Sequence, residues 1–113
     1  MSFEDQRTKT QRLSLPEAAT AIVRTGFYAG LEVLIDRERI VIGRGREADL
    51  ALAEATISRA HAAVGFDENG FYVEDLGSTN GTVVNGARIS KQRLKNDDEI
   101  QMGTLVIRVS LPD

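Results

Sequence analysis

From Ala21 onward, short stretches of alternating apolar and polar residues are separated by turn-forming residues at roughly every six to twelve positions. In residues 31–35, for example, Leu31, Val33 and Ile35 would share the face of a strand that points toward a core. No segment of this part repeats its apolar residues with the period of an amphipathic helix. The pattern predicts an all-β fold, a sandwich of two twisted, mainly antiparallel sheets with about 10–11 short strands.

The predicted strands cover residues 21–25, 31–35, 39–42, 49–52, 61–66, 71–76, 83–84, 87–89, 100–102 and 104–111. Asn69-Gly70 and Asn85-Gly86 predict tight hairpin turns, because Asn-Gly tolerates the left-handed backbone that such turns need. In a sandwich the loops collect at the two ends of the sheets. Loops that are distant in the sequence can therefore form one binding site at one end.

The first residues of the chain differ from the rest. Residues 1–19 are polar and charged and lack a clear period, so we expect a flexible leader, followed by one β-sandwich domain over residues 20–113. Thr8 and Thr10 lie among basic residues of the leader. Two interpretations stay open: a solvated tail, or a kinase target in which phosphorylation adds about two negative charges.

Composition restricts the function. The 113 residues suggest one domain, and the formal net charge of -3 offers no overall basic field for nucleic acid. Without cysteine and with one histidine, neither a disulfide nor a metal site is expected, and we expect no cofactor. No apolar run reaches the roughly 18 residues of a membrane helix, and the first residues lack the apolar core that a secretory signal would have. We therefore expect a cytoplasmic protein without membrane contact.

Three polar loops hold most of the groups that could bind a ligand. They cover residues 43–46, 56–61 and 75–82, and the last contains six Gly, Ser, Thr or Asn residues in a row. Together they supply hydrogen-bond donors and positive charge. The Gly-rich loop lacks the Gly-Lys-Ser/Thr ending of a P-loop, and Ser58 does not lie in a nucleophile elbow. This chemistry predicts an anion-binding site and not an enzyme.

Five side chains are candidates for contact with such an anion. The guanidinium of Arg44 matches phosphate oxygens two at a time, and Ser58 offers a hydroxyl donor. Arg59 adds a cation and a backbone N–H. Thr79 adds a hydroxyl, and the Asn80 amide can both donate to and accept from a peptide backbone.

Each candidate also has a purely structural interpretation. Arg44 could pair with Glu47 or Asp49 on the surface, and Ser58 could cap its own turn. Thr79 and Asn80 could serve only as turn residues.

The order and spacing of these loops resemble the forkhead-associated (FHA) domain family. The resemblance rests on Gly43-Arg44, Ser58-Arg59-Ala60-His61, Gly77-Ser78-Thr79-Asn80-Gly81-Thr82 and Asn85-Gly86, and it covers about residues 21–111. It implies a β-sandwich that binds phosphothreonine in partner peptides through loops at one end, without catalytic activity. Two positions depart from the family pattern: Ala60 replaces a larger or basic residue, and Asp97 replaces a glycine.

The resemblance also implies roles for individual residues. Arg44 and Ser58 would hold the phosphate, Thr79 would lie near the phosphothreonine, Asn80 would hold the peptide backbone, and Arg59 would contribute through its own backbone. Structural support of the site is implied for Gly43, His61, Gly81, Asn85 and Gly86, with His61 bracing the loops from behind by hydrogen bonding.

The sequence thus predicts a phosphothreonine-dependent protein-binding module in Ser/Thr kinase signalling. The expected partner is a phosphothreonine-containing protein or peptide, such as a Ser/Thr protein kinase or its substrate. The alternative is a phosphorylation-gated switch, in which Thr8 or Thr10 of the leader docks into the same site and blocks other partners.

Overall fold

The structure is a computed structural model that describes residues 19–112. Thr8 and Thr10, and with them nearly the whole predicted leader, lie outside the described residues. The boundary predicted between leader and domain therefore stays a prediction. Ala19 is the first described residue; it is buried, and its carbonyl accepts a hydrogen bond from the backbone of Ile35 at 2.8 Å.

The described chain forms eleven strands. They are β1 (Thr20–Val23), β2 (Glu32–Leu34), β3 (Ile40–Gly43), β4 (Leu50–Ala51), β5 (Ala62–Asp67), β6 (Gly70–Asp75), β7 (Thr82–Val84), β8 (Ala87–Ile89), β9 (Lys91–Arg93), β10 (Glu99–Met102) and β11 (Leu105–Ser110). Within residues 19–112 there is no helix long and apolar enough to cross a membrane.

The strands form two sheets that pack face to face. One sheet has the order β2-β1-β11-β10-β7-β8 and the other β4-β3-β5-β6-β9. Within the described residues all nine strand pairings are antiparallel except for the short parallel pair of β3 and β4. The predicted all-β sandwich is confirmed, including the strand number.

Alternating apolar residues of both sheets fill the core. In β11, Leu105, Ile107 and Val109 are fully buried, whereas the residues between them are not. Val73 of β6 and Ile100 of β10 are also fully buried. Each such side chain contributes about 1.5–3 kcal/mol through its removal from water, so the period-2 pattern of the sequence also fixes which face of each strand turns inward.

Two details differ from the sequence prediction. Leu31 does not face the core but is 39% exposed. It precedes the edge strand β2 and lies in a turn, where its N–H donates to the carbonyl of Tyr28.

The second difference is β9, which the sequence pattern did not reveal because all three of its side chains are exposed. Strand β9 pairs with β6, and its Lys91 ammonium lies 4.7 Å from the centre of the Tyr72 ring.

Positive backbone angles occur where the turns need them. Asn85 (φ 48°) and Gly86 (φ 89°) form the two-residue turn between β7 and β8, as the sequence predicts. In the hairpin between β5 and β6, Gly70 adopts the positive angle (φ 116°), whereas Asn69 donates its N–H to the carboxylate of Asp67. Asp97 adopts a φ of 72°, a left-handed conformation that Asp tolerates better than most residues.

The strand directions bring the three polar loops to one end of the sandwich. Because β5 runs antiparallel to both β3 and β6, the end of β3, the start of β5 and the end of β6 lie together. The turn between β10 and β11 reaches the same end, since Met102 pairs with Thr82 at the start of β7. Residues 43–46, 56–61 and 76–81 are therefore neighbours in space.

Candidate functional site

Two backbone hydrogen bonds hold the turn after β3 against the loop before β5. The N–H of Arg44 donates to the carbonyl of Ser58 at 3.0 Å, and the N–H of Gly45 donates to the carbonyl of Arg59 at 3.0 Å. Gly43 permits this approach, because a Cβ at that position would overlap the carbonyl oxygen of Arg59. The predicted phosphate-binding pair, Arg44 and Ser58, thus lies side by side.

The Arg44 side chain is positioned by its own hydrogen bond. Its Nε donates to the carbonyl of Ile57 at 3.0 Å, while the residue remains exposed. Within residues 19–112 it forms no ion pair: the carboxylate of Asp49 instead accepts the N–H of Val41 at 2.8 Å and lies 3.7 Å from Arg37. The two terminal NH₂ groups of the Arg44 fork are therefore available to an anion.

Ser58 uses its side chain across the loops and does not cap its own turn. Its Oγ accepts the N–H of Thr79 at 3.1 Å, which leaves the hydroxyl proton for a second partner. Ser58 is half-buried, whereas Thr79 is exposed. The contact fixes the distance between the β4–β5 loop and the β6–β7 loop.

His61 lies behind the loops and is fully buried. Its Nδ1 accepts the N–H of Ser58 at 3.0 Å, and its Nε2 lies 2.8 Å from the carbonyl oxygen of Gly81. The neutral tautomer with the proton on Nε2 satisfies both contacts. The ring thereby joins the β4–β5 loop to the β6–β7 loop, and both of its nitrogens are occupied by backbone groups.

The side chain of Asn80 is tied to the neighbouring loop. Its Nδ2 donates to the carbonyl of Thr56 at 2.8 Å, which leaves the Oδ1 and the second amide proton for a ligand. Thr56 is held in turn by the turn between β10 and β11, since its Oγ1 accepts the N–H of Thr104 at 2.9 Å. Gly103 lies so close to Thr56 that a Cβ there would overlap it.

Asp75 shapes the β6–β7 loop from within. One carboxylate oxygen accepts the hydroxyls of Ser78 and Thr82, and the other accepts the N–H groups of Gly77 and Ser78. Burial alone would raise the pKa of Asp75, but these four hydrogen bonds outweigh burial and lower the pKa below its ordinary value. The Ser78 hydroxyl also accepts the N–H of Gly81 at 2.9 Å, so the loop is fixed along its length.

Three residues that organise the site were not predicted to have a role there: Thr56, Thr104 and Asp75. For Asp75 a local signal existed, because an Asp three residues before a Ser is a common side chain-to-backbone turn. For Thr56 and Thr104 no local signal exists, since these residues lie 48 positions apart in the chain.

The remaining support residues fall into two groups. Gly81 (φ 83°) lies within the site, where the Arg88 guanidinium leaves no room for a Cβ. Asn85 and Gly86 lie at the opposite end of β7. There the Asn85 amide donates to Asp98 at 2.8 Å and accepts the N–H of Glu99 at 3.0 Å, so these two residues fix a hairpin and do not touch the site loops directly.

The resulting surface is open and locally positive. Arg44, Arg59, Thr79 and Asn80 are exposed, and Ser58 lies half-buried between them. Arg46 and Arg88 add further exposed guanidinium groups at this end, although the whole chain has a net charge of -3. Within the described residues no group of three His, Cys, Asp or Glu side chains could hold a metal ion. The arrangement suits an anionic group presented by an extended chain.

Comparison with families and with curated proteins agrees with this geometry. Residues 40–103 match the family model of the FHA domain. The chain is 39% identical over 88 residues to the glycogen accumulation regulator GarA of Mycobacterium tuberculosis, covering 78% of this chain and 54% of that protein. It is 40% identical over 86 residues to the oxoglutarate dehydrogenase inhibitor of Corynebacterium glutamicum, covering 76% and 60%. The chain thus spans little more than half the length of these relatives.

Solved structures share the fold. One, from work on phosphothreonine-dependent FHA domain interactions, has a TM-score of 0.77 and 30% identity, covering 85% of this chain and 98% of that one. Another is the FHA domain of FhaA in complex with the intracellular domain of a second protein, with a TM-score of 0.74 and 32% identity, covering 81% and 99%.

Proposed function

The chain belongs to the forkhead-associated domain family, and from that premise we propose that it is a phosphothreonine-dependent protein-binding module in Ser/Thr kinase signalling. The observation that carries the proposal is the adjacency of Arg44 and Ser58, whose loops are joined by the Arg44 N–H to Ser58 carbonyl bond of 3.0 Å. The guanidinium fork and the serine hydroxyl proton both remain available at an exposed surface.

The proposed chemistry is charge-assisted hydrogen bonding to a phosphate dianion. Such bonds are about twice as strong as those between neutral groups, and the planar guanidinium can make two of them at once. In this proposal Thr79 lies beside the phosphothreonine, the backbone of Arg59 contributes a further contact, and Asn80 holds the peptide backbone. Asn80 has its Oδ1 and one amide proton left for that purpose.

The same geometry argues against catalysis at this site. His61 is the chain's single histidine, and its Nδ1 accepts the backbone N–H of Ser58 and not the serine hydroxyl. Its Nε2 faces the carbonyl of Gly81. A buried histidine that is occupied in this way does not activate the serine as a base. We therefore propose a binding protein without enzymatic activity and without a cofactor.

The proposed partner is a phosphothreonine-containing protein, with a Ser/Thr protein kinase or its substrate as the expected class. The relatives are named as a regulator and an inhibitor, and a related domain was crystallised with the intracellular domain of another protein. A regulatory role in the cytoplasm, exerted through binding, is part of the same proposal. No contact with nucleic acid or membrane is proposed.

Titration with synthetic peptides tests this function. A phosphothreonine peptide library, with phosphoserine and unphosphorylated controls, is measured by fluorescence anisotropy against the wild type, Arg44→Ala and the matched control Arg37→Ala. Arg37 is an exposed arginine in the connection between β2 and β3, and among the described residues it forms only weak ion pairs of 3.6 and 3.7 Å. Loss of the Arg44 fork is expected to weaken binding about 100-fold or more, whereas Arg37→Ala binds as the wild type does.

Arg44→Ala also removes the hydrogen bond to Ile57, at a cost of about 1 kcal/mol, so its fold is checked by thermal unfolding. A folded Arg44→Ala protein with undiminished affinity would disprove the site assignment. Failure of the folded wild type to prefer phosphothreonine would disprove the function.

The second candidate function is the phosphorylation-gated switch through Thr8 or Thr10, which the position of β1 permits. Thr25, just after β1, contacts the site end of the sandwich, since its hydroxyl donates to Thr104 at 3.0 Å. Thr20 therefore lies about five residues, or roughly 17 Å, from that end. The ten Cα-to-Cα steps from Thr10 to Thr20 can span up to roughly 33 Å, so the tether is long enough. Phosphorylation of the leader should then weaken binding of an added phosphopeptide, and equal affinity before and after would rule out the switch.

A further inference from the structure

A groove lies on the outer face of the second sheet, directly beside the proposed phosphate site. Its volume is about 430 Å³, and its lining includes Val41, Gly45, Arg46, Ala48, Ala60 and Leu76. Val41 and Leu76 form its aliphatic floor; they are half-buried and lie outside the hydrophobic core cluster. The turn formed by residues 45–48 makes one wall, closed by the hydrogen bond from Ala48 to the carbonyl of Gly45 at 3.1 Å.

The groove is continuous with the loops that hold the phosphate pair. Along the β4–β5 loop, the Thr56 carbonyl holds Asn80, Ser58 lies in the middle, and Arg59 and Ala60 line the groove. Asn80 and the groove therefore lie on opposite sides of Ser58. A peptide with its phosphate at Ser58 and its backbone held by Asn80 on one side would reach the groove with residues on the other side.

The size and charge of the lining suggest what the groove accepts. Ala60 is exposed and contributes only a methyl group, so a larger side chain at this position would enter the groove. The lining also includes two arginines, Arg46 and Arg59, and one carboxylate, that of Glu47. Within residues 19–112 neither arginine forms an ion pair, so the groove has an excess of positive charge. An aliphatic side chain within an acidic or phosphorylated segment fits both features, whereas a basic segment does not.

We propose that this groove binds an aliphatic side chain of the phosphothreonine partner, on the side of the phosphothreonine away from Asn80, and that Ala60 determines this specificity. The inference rests on the proposed function, because it places the phosphate at Arg44 and Ser58. Burial of most of a leucine side chain in the groove corresponds to about tenfold tighter binding than alanine at the same peptide position.

The test uses alanine-based phosphothreonine peptides in which one leucine is moved through each flanking position. Their dissociation constants are measured for the wild type, for Ala60→Leu and Ala48→Leu, which add bulk at two lining positions of the groove, and for Ala87→Leu. Ala87 is an exposed alanine in β8 of the other sheet, and its substitution is the matched control. Thermal unfolding shows that each variant is folded.

The expected result is a leucine preference of about tenfold on one side of the phosphothreonine, present in the wild type and in Ala87→Leu and lost in the folded groove variants. Equal binding of leucine and alanine peptides by the wild type would overturn the inference, and so would a preference that survives in folded Ala60→Leu. In either case tight binding of the all-alanine phosphopeptide would leave the proposed function standing. If the wild type does not distinguish that peptide from its unphosphorylated form, the proposed function and this inference fail together.

Discussion

Replacement of Asp75 by asparagine should destabilise the fold from within the β6–β7 loop. Asparagine keeps one carbonyl oxygen, which can still accept the hydroxyls of Ser78 and Thr82. Its NH₂ group replaces the oxygen that accepts the N–H groups of Gly77 and Ser78. The NH₂ group is itself a donor, so these two backbone N–H groups lose their acceptor. A hydrogen bond to a charged acceptor contributes about 1.5–3 kcal/mol, and water can replace part of it in this half-exposed loop. We expect Asp75→Asn to lower the free energy of unfolding by about 2–3 kcal/mol.

Urea denaturation followed by circular dichroism measures this effect. With a urea m value of about 1 kcal/mol/M for a domain of this size, the midpoint should fall by about 2–3 M. Asp36→Asn is the matched control, because Asp36 is exposed and lies 3.6 Å from Arg37 in a weak surface pair. Its free energy of unfolding should stay within about 0.5 kcal/mol of the wild type. If Asp75→Asn unfolds at the same urea concentration as this control, the carboxylate does not organise the loop.

Three further predictions follow from the same contacts. Gly43→Ala should cost about 3 kcal/mol in unfolding free energy, because its Cβ would overlap the Arg59 carbonyl; a wild-type melting temperature would contradict this. Thr56→Val keeps the shape of the side chain but removes the hydroxyl that accepts the N–H of Thr104. It should lower the free energy of unfolding by about 1 kcal/mol and weaken phosphopeptide binding, whereas Thr56→Ser should do neither. Equal behaviour of the two variants would count against the contact. The pKa of Asp67 is lowered from 3.8 to about 2, mainly by its hydrogen bond from Arg93, so carboxyl NMR titration of Arg93→Gln should show this pKa rising toward 3.8. A pKa that stays near 2 in Arg93→Gln would show that another group causes the shift.

The lowered pKa values of Asp67 and Asp75 also give the direction of the acid dependence. A carboxyl group with a lower pKa in the folded than in the unfolded chain stabilises the fold above the unfolded value. Its contribution is lost as the pH falls through the folded value, which is about 2 for Asp67. Stability should therefore decline below about pH 4, and the decline should be shallower in Asp75→Asn.

Local pattern was sufficient to predict most of the fold. The alternation in β11 and the Asn85-Gly86 turn are properties of adjacent residues, and the structure contains both. Strand β9 could not be predicted in this way, because none of its residues is buried and its position depends on pairing with β6. Leu31 shows the converse: its apolar character fits a core position, but it lies beside an edge strand.

The candidate site likewise has one part that could be predicted from the sequence and one that could not. The residue types of Arg44, Ser58 and Asn80 could be read from the loops, because donor chemistry is a property of single residues. Their mutual placement depends on bonds between distant parts of the chain, such as His61 to Gly81 and Thr56 to Thr104. Such bonds leave no periodic pattern in the sequence, so only the structure shows which loops are joined.

These distant bonds separate the site into two kinds of residue with distinct mutant behaviour. The loops are held in place before any ligand binds by Asp75, Thr56 and His61. Because the loops are already ordered, binding of a peptide costs less conformational entropy. Substitution of any of these residues should weaken the binding of all peptides by a similar factor. The preference for the phosphorylated over the unphosphorylated peptide should then be unchanged. Arg44 and Ser58 offer donors to the ligand itself, so their loss should remove that preference. The ratio of affinities for phosphorylated and unphosphorylated peptide, and not affinity alone, therefore distinguishes a residue that binds phosphate from one that positions the loops.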